Sequence, residues 1–186
     1  MTTVVAVCGS RRDGSHTKTA LEHVLAAAER AGADTDLVDL GAADLPLYHP
    51  DEDAQGDSAA LVRRVREADG VILGSPVYHG SYSSTLKNFH DYCSGDDYES
   101  TVVGLLAVAG GASYGATLEH MRSTVRNVHG WVLPQQLGIP RVSSQFEAGE
   151  FVDDDLRERA ETLGRLVAKH AAAMGERQTP MAACDD

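Results

Sequence analysis

Short apolar runs with the length of β-strands recur along this chain, and segments with helical spacing separate them. Val4–Val7 and Thr101–Ala109 are apolar at nearly every position, which is typical of strands buried on both faces of a parallel sheet. Strands that alternate with helices are joined by right-handed crossover connections, which make neighbouring strands parallel. We predict strands at 3–8, 35–40, 70–75 and 101–109, with a short edge segment at 131–133 and 138–139.

Apolar residues three and four positions apart predict the helices between these strands. The helices are predicted at 19–32, at 57–68, from the loop after the third strand to about residue 93, around 118–128, and at 153–174. Five strands in a chain of 186 residues favour a flavodoxin-like α/β fold, a three-layer doubly wound five-stranded parallel sheet with strand order 2-1-3-4-5. We predict one domain at 1–175 and a flexible C-terminal tail at 176–186.

The charge of the chain restricts its partners. The formal net charge is −12, and the lysines are confined to Lys18, Lys87 and Lys169. A phosphate backbone would be repelled by such a surface, so we expect no nucleic-acid partner. The acidic, lysine-poor composition favours a protein of a salt-loving organism over a merely acidic soluble protein.

The chain carries no signal for a membrane, an oxidising compartment or a metal. No apolar run reaches the roughly 20 residues that span a bilayer, and the N-terminus lacks the charged region that opens a signal peptide. Cys8, Cys93 and Cys184 are far apart and form no C-x-x-C motif, so we expect neither disulfides nor a Cys-ligated metal. We therefore predict a cytoplasmic protein with no membrane partner and no metal site.

The loop after the first strand has the composition of a phosphate site. It contains Gly9 and Gly14, surrounded by polar side chains, and a helix follows it. Backbone N–H groups and the positive end of the helix dipole favour a dianionic phosphate there, and an arginine adds a charge-assisted bond. The alternative is a polar turn with an N-cap. The residues that we assign to this phosphate site are Ser10, Arg12, Ser15 and Thr17, and His16 of the same loop is also assigned to cofactor binding.

Two other phosphate chemistries are excluded by single residues. Gly9 and Gly14 have the spacing of a P-loop, but Ser15 stands where the P-loop lysine belongs, so we do not expect nucleotide hydrolysis. A thiol phosphatase would have an arginine six residues after its nucleophilic cysteine. Gly14 is the residue six positions after Cys8, so we do not expect this chemistry. We interpret Cys8 as a small core residue at a strand end.

The stretch Gly74–Asn88, after the third strand, is the second part of the predicted site. Pro76 has no N–H and is expected to end the strand, while Gly80 would let the backbone approach a flat group. Tyr78 would stack on a ring, backbone amides would bond its polar edge, and His79 would add a side-chain bond. The alternative is a half-buried loop tyrosine beside a surface histidine. The residues assigned to this wall are Pro76, Val77, Tyr78, His79, Gly80 and Ser81.

A third loop, with Gly110 and Gly111, follows the fourth strand. It would contribute backbone to the site, although alone it also fits a plain flexible turn. The three loops leave strands that are neighbours in the predicted order, so they converge on one crevice at the topological switch point. A phosphate seat at one end and an aromatic, amide-rich slot at the other describe a mononucleotide with a large ring, which is FMN.

These motifs, with Leu86-Lys87-Asn88 after them, resemble the NADPH-dependent FMN reductases, a family that includes bacterial quinone, chromate and azo-dye reductases. The resemblance extends over residues 3–170. It implies tightly bound FMN that takes hydride from NADPH or NADH and passes electrons to a small-molecule acceptor such as a quinone or free flavin. It also implies a homodimer or homotetramer. The dispersed aromatics Tyr82, Phe89 and Tyr92 support an oligomer, and an amphipathic helix with a few exposed aromatics is the alternative.

The chain departs from the family pattern at two places. Many members have Pro-Glu-Tyr-Asn where this chain has Pro76-Val77-Tyr78-His79, and many have Asn where it has Thr17. Because the cofactor carries the chemistry, we assign no catalytic side chain; His79 and Tyr114 are candidates for contact with the second substrate. Two other classes stay open: a flavodoxin-type electron carrier that does not oxidise NAD(P)H, and a cofactor-free regulatory domain on the same fold.

Overall fold

The computed structural model describes residues 1–53 and 55–178, and its centre is a parallel sheet in the predicted order 2-1-3-4-5. Its five strands are β1 (Thr3–Cys8), β2 (Asp34–Asp39), β3 (Gly70–Tyr78), β4 (Val102–Val108) and β5 (Trp131–Ile139). Cys8 pairs with Gly74, and Gly74 pairs in turn with Leu106. The carboxyl ends of β1, β3 and β4 therefore lie side by side at one edge of the sheet.

Helices cover both faces of this sheet. They are α1 (His16–Arg30), α2 (Ser58–Arg66), α3 (Ser84–Asp91), α4 (Gly115–Asn127) and α5 (Asp154–Gln178). On one face, α1 and α5 pack on strand residues such as Val4 and Ile72. On the other, α2, α3 and α4 pack on residues such as Val5 and Leu73. The predicted three-layer, doubly wound arrangement is confirmed. None of the described helices combines the length and the apolarity needed to cross a bilayer.

The two helices α1 and α5 approach each other closely at Gly164. A Cβ added to Gly164 would lie 2.0 Å from the carbonyl oxygen of Val24 and 3.1 Å from the Cβ of Ala27. The backbone of α5 packs against the backbone of α1 here, because Gly164 has no Cβ. The absence of a side chain at Gly164 thus sets the distance between α1 and the C-terminal helix.

The third strand continues through a residue that we predicted would end it. β3 runs past Pro76 to Tyr78, and Pro76 pairs with Val108. The β1–β3 ladder ends at Cys8 and Gly74, so β3 has a parallel partner on one side only beyond that point. A proline is tolerated where its missing N–H can face the unpaired side of a strand.

The last strand is one nine-residue element rather than two short pieces. The β4–β5 register shifts between Val103, which faces Val132, and Leu105, which faces Gln136. Pro134 falls within this irregular part of the edge strand, where a proline costs no regular ladder bond. The predicted break at this point is therefore a bulge.

Several element ends differ from the predictions by a few residues. α1 begins at His16 instead of residue 19, because Ser15 caps it. The C-terminal helix extends to Gln178, beyond the predicted start of the tail, and residues 179–186 of that tail lie outside the described residues. Short elements that we did not predict are a one-turn helix (Gly95–Tyr98), a 3₁₀ turn (Val142–Ser144), a two-residue strand (Ser81–Tyr82) and a small hairpin (Phe146–Glu147 with Glu150–Phe151).

Candidate functional site

A cavity of about 240 Å³ lies where the loops after β1, β3 and β4 meet. Nine of the thirteen residues assigned from the sequence line it, from all three predicted loops. They are Ser10, Arg12, Ser15, His16, Thr17, Pro76, Val77, Tyr78 and Gly110. Three further lining residues were not predicted: Gly14, Val108 and Val142. The convergence of three separate loops on one cavity is the central geometric fact of the site.

The first loop forms the polar end of the cavity. Gly14 adopts a left-handed conformation with φ of 63°, which turns the chain into α1. The Ser15 hydroxyl then accepts a hydrogen bond from the Lys18 N–H at 3.2 Å and caps the helix. The N–H groups of His16 and Thr17 belong to the first turn, which has no intrahelical acceptor. The structure therefore directs free backbone donors at the cavity.

Buried hydroxyls add to this polar end. Ser10 and Thr17 are only 5% and 2% exposed, yet both line the cavity. Hydroxyl groups on a cavity wall can donate hydrogen bonds to a polar ligand that enters the cavity. An oxyanion with several acceptor oxygens fits these donors.

The cations of the first loop differ in their availability. Lys18 Nζ lies 2.9 Å from Asp39 Oδ2. Burial alone would raise the pKa of Asp39, but hydrogen bonds from Lys18 and from the Gly41 N–H outweigh it and lower the pKa. Lys18 is therefore held by this carboxylate. Among the residues that the structure describes, the exposed Arg12 guanidinium has no carboxylate within 4.0 Å, so it can serve an anion in the cavity.

Buried hydrogen bonds join the first and second loops. The Gly9 N–H donates to the Gly74 carbonyl at 2.8 Å, and the Ser83 hydroxyl donates to the Gly9 carbonyl at 2.6 Å. The Ser83 N–H in turn donates to the Ser75 hydroxyl at 2.8 Å. Ser83 also caps α3 by accepting from the Leu86 N–H. Sequence reasoning missed this connection, although a serine just before a helical pattern is a recognisable N-cap.

We expect Ser83→Ala to destabilise the protein by about 1–3 kcal/mol, because it removes an N-cap and a buried bond to the first loop. Urea unfolding monitored by circular dichroism measures this loss. Ser84→Ala is the matched control, because Ser84 is exposed and forms no side-chain bond within the described residues. Equal stability of the two variants would contradict the proposed joining role of Ser83.

His79 and Gly80 form the tip of a tight turn and do not line the cavity. Val77 and Tyr78 pair antiparallel with Tyr82 and Ser81, which leaves His79 and Gly80 as a two-residue loop. Their φ angles are 50° and 77°, as a type I′ turn requires. A Cβ on Gly80 would meet nothing within 4 Å. Gly80 is thus needed for its conformation rather than for close approach to a flat group.

Ser81 also points away from the cavity, since its hydroxyl lies 3.1 Å from Nδ1 of His120 on α4.

The departure from the family pattern at position 79 has a simple conformational explanation. Asparagine is the residue that most readily adopts the left-handed conformation in such turns, and histidine is also enriched there. Histidine can therefore occupy this turn position, where many members of the family have asparagine.

The turn predicts opposite effects for two substitutions. We expect His79→Asn to leave stability unchanged or to raise it by a few tenths of a kcal/mol, because asparagine favours this conformation. Gly80→Val should cost about 1–2 kcal/mol, since a β-branched residue is strained at positive φ. Thermal unfolding of both variants measures the difference. A Gly80→Val variant as stable as the parent would rule out the turn.

One glycine of the third loop lines the cavity, and the other forms a backbone hydrogen bond to the chain after β5. Gly110 lines the cavity, whereas the Gly111 carbonyl accepts from the Arg141 N–H at 2.8 Å. The next N–H, of Val142, donates to the Ala109 carbonyl at 3.0 Å. These bonds bring Val142 to the cavity from the chain after β5. Tyr114, a predicted candidate for substrate contact, does not line the cavity; a Cβ at Gly138 would fall 2.0 Å from its ring.

The cysteines near this region are not nucleophiles. Cys8 is fully buried in the core, and burial raises the pKa of its thiol. Burial also raises the pKa of Cys93 to about 12. Thiolates rather than thiols react, so the structure agrees with the interpretation of Cys8 as a core residue.

A second, somewhat larger cavity of about 320 Å³ lies in the groove between α1 and α5. Its walls include the salt-bridged Arg30 and Glu161 on exposed helix surfaces. It is distant from the carboxyl ends of the strands, where open α/β sheets bind ligands. The cavity of about 240 Å³ at the carboxyl ends of β1, β3 and β4, called the strand-end cavity from here on, is therefore the better candidate.

The fold and the cavity define a class: flavodoxin-like α/β proteins, whose ligand site lies at the switch point of the sheet. FerB, a flavoenzyme NAD(P)H:(acceptor) oxidoreductase from Paracoccus denitrificans, has this fold, with a TM-score of 0.79 over 94% of this chain and 99% of its own. The two sequences are 18% identical, so this likeness shows the fold alone.

Sequence comparisons identify the family. The family model for NADPH-dependent FMN reductase matches residues 2–144. The FMN-dependent NADPH-azoreductase of Staphylococcus saprophyticus is 34% identical over 139 residues, which are 70% of this chain and 73% of that protein. The NADPH azoreductase of Bacillus sp. (strain OY1-2) is 35% identical over 142 residues, or 74% and 75% of the two chains.

The chain belongs to the NADPH-dependent FMN reductase family. It is an NAD(P)H-dependent flavin oxidoreductase that uses FMN. The prediction of an enzyme, made from the loops and from the resemblance, is confirmed, whereas the electron-carrier and cofactor-free alternatives are not supported.

Proposed function

We propose that FMN binds in the strand-end cavity, with its phosphate on the first loop and its ring against Pro76–Tyr78. The observation that carries the proposal is the convergence of these two segments on one cavity. The polar end supplies the donors that a dianion needs: first-turn amides, buried hydroxyls and the Arg12 guanidinium. The opposite end is lined by Val77, Val108 and Val142, which suit an apolar ring.

Bound FMN supplies the hydride- and electron-transfer chemistry of this family. The chain's own residues orient it. Backbone donors at the start of α1 fix the phosphate, and the Val77–Tyr82 pairing holds the strand end rigid beside the ring. The Ser83 bond to Gly9 keeps the two loops at a constant separation. Because the bound cofactor would supply the transfer chemistry, these residues would only need to position it, and no acid–base side chain would be required.

We further propose that the second substrate is a planar azo compound or quinone and that NADPH is the preferred donor. Azoreductase activity is named for the two curated relatives above. Tyr78 is 49% exposed at the rim of the cavity, so one wall of the site offers an aromatic surface to solvent. A planar acceptor could stack there after the nicotinamide has left.

The test begins with the absorbance spectrum of the purified protein and identification of any extracted cofactor. We expect a flavin spectrum, or uptake of added FMN with a dissociation constant below about 1 μM. Anaerobic stopped-flow mixing with NADPH or NADH should bleach the flavin, faster with NADPH, and methyl red or menadione should restore the colour. Protein that takes up no FMN, or FMN that neither nicotinamide bleaches, would refute the proposal.

We also propose that the enzyme acts in the cytoplasm as a homodimer or homotetramer and that its acidic surface suits high salt. Two of the three aromatics first cited for an oligomer do not support it, because Phe89 is buried and the Tyr92 hydroxyl bonds to the Pro46 carbonyl. Leu47, which is 83% exposed on the adjacent loop, supports it better. Light scattering after gel filtration tests the oligomer, and unfolding at increasing KCl concentration tests the salt response.

A further inference from the structure

A small hairpin beyond the last strand packs against the start of α1. We call it the aromatic hairpin; it comprises residues 146–151, with Phe146–Glu147 paired antiparallel to Glu150–Phe151. Its turn residues Ala148 and Gly149 have φ angles of 48° and 87°, which is again the type I′ geometry. The sequence did not predict this element.

Aromatic contacts join the hairpin to α1. The Phe146 ring lies parallel to the His16 ring, with centroids 5.4 Å apart and an interplanar angle of 8°. Phe146 also contacts Phe151 at 4.5 Å and stacks on His23 at 6.5 Å. His23 Nε2 lies 2.8 Å from the Gly149 carbonyl oxygen. The hairpin therefore rests on two histidines of α1, one at the first residue of the helix and the other about two turns further on.

His16 connects this cluster to the candidate site. It lines the strand-end cavity between Ser15 and Thr17, at the end that we assign to phosphate. A parallel stack uses the face of the imidazole and leaves the ring nitrogens at its edge available for hydrogen bonds. Stacking on Phe146 thus restricts the orientation of the His16 imidazole and leaves its ring nitrogens free to form hydrogen bonds. Preorganised donors bind more tightly than free ones, because less rotamer entropy is lost on binding.

We propose that Phe146 is a positioning residue: it holds the His16 imidazole so that a ring N–H donates to the cofactor phosphate, and it thereby makes the site prefer FMN over riboflavin. This inference rests on the proposed binding of FMN in the cavity. FMN and riboflavin share their ring and ribityl chain and differ in the phosphate. A residue that acts through the phosphate therefore changes the affinity for FMN and leaves that for riboflavin unaltered.

The experiment measures dissociation constants of FMN and riboflavin for the full chain after removal of its cofactor, by quenching of flavin fluorescence. Phe146→Leu keeps the hairpin apolar but removes the stacking ring. We expect its FMN affinity to fall about tenfold, as for loss of one hydrogen bond to a charged group, with riboflavin affinity within twofold of the parent. Phe146→Tyr should restore the FMN affinity, since its ring can stack in the same way.

Phe151→Leu is the matched control, because Phe151 touches Phe146 and His23 but forms no aromatic contact with His16. It should lower the melting temperature while retaining the FMN-to-riboflavin ratio. In a His16→Ala background, Phe146→Leu should cause no further loss of FMN affinity, because the two residues act through one contact.

Three outcomes would overturn the inference: equal losses for FMN and riboflavin in Phe146→Leu, no loss for either, or an additive loss in the double variant. Each of these leaves the proposed function intact, provided that the parent protein binds FMN. A parent chain that binds neither flavin would refute the proposed function and this inference together.

Discussion

Replacing Ser15 with aspartate is expected to lower FMN affinity at least about a hundredfold while leaving the fold intact. Aspartate is as good an N-cap as serine, and its charge interacts favourably with the positive end of α1. The same carboxylate would stand at the phosphate end of the cavity, because Ser15 lines it. Like charges about 4 Å apart repel by several kcal/mol at a partly buried site, and about 2.7 kcal/mol already corresponds to a hundredfold loss.

The measurement is titration of the cofactor-free variant with FMN and with riboflavin, together with its melting temperature. Ser15→Asn is the control, since asparagine caps equally well without a charge and should retain most of the affinity. Riboflavin affinity should be little affected by either substitution. If Ser15→Asp bound FMN as tightly as the parent, the phosphate would not lie at the start of α1.

Gly164→Ala is expected to destabilise the fold by about 2–3 kcal/mol, near the upper end of the usual range for overpacked cores. The added Cβ would lie 2.0 Å from the Val24 carbonyl oxygen, so α1 and α5 must move apart. Alanine's higher helix propensity returns about 1 kcal/mol at most and does not offset this contact. For a domain of this size, the melting temperature should fall by about 5–10 °C.

Gly175→Ala on the same helix is the matched control. There an added Cβ would meet nothing closer than Asp69 Oδ1 at 3.9 Å, so the propensity gain should appear without strain. Calorimetry or denaturant unfolding should therefore show opposite signs for the two glycine-to-alanine changes. A stabilising Gly164→Ala would mean that the two helices are farther apart than in this structure.

The strands were predictable because parallel strands buried on both faces leave continuous apolar runs in the sequence. The errors arose at prolines. Pro76 was interpreted as the end of a strand, and no strand was predicted at Pro134, but each lies within a strand where its missing N–H costs no regular ladder bond. Whether a proline ends a strand depends on its neighbouring strand, which local sequence does not reveal.

The candidate site was predictable in outline for a different reason. Polar loops at the ends of adjacent strands must converge, and the first loop and Pro76–Tyr78 do line one cavity in the structure. His79 and Gly80 form the turn beside the cavity rather than its lining, and a residue chosen for positive φ cannot be distinguished by sequence from one chosen to touch a ligand. Val142 gave no signal, since it reaches the cavity through backbone bonds formed after β5.

The bond from Ser83 to Gly9 joins positions 74 residues apart, and it has a dynamic consequence. The two loops cannot open independently, because separating either one breaks the same buried contacts. Their amides should therefore exchange with solvent deuterium through one shared opening event with a single free energy. We therefore expect the inner rim of the cleft to open and close as one cooperative unit.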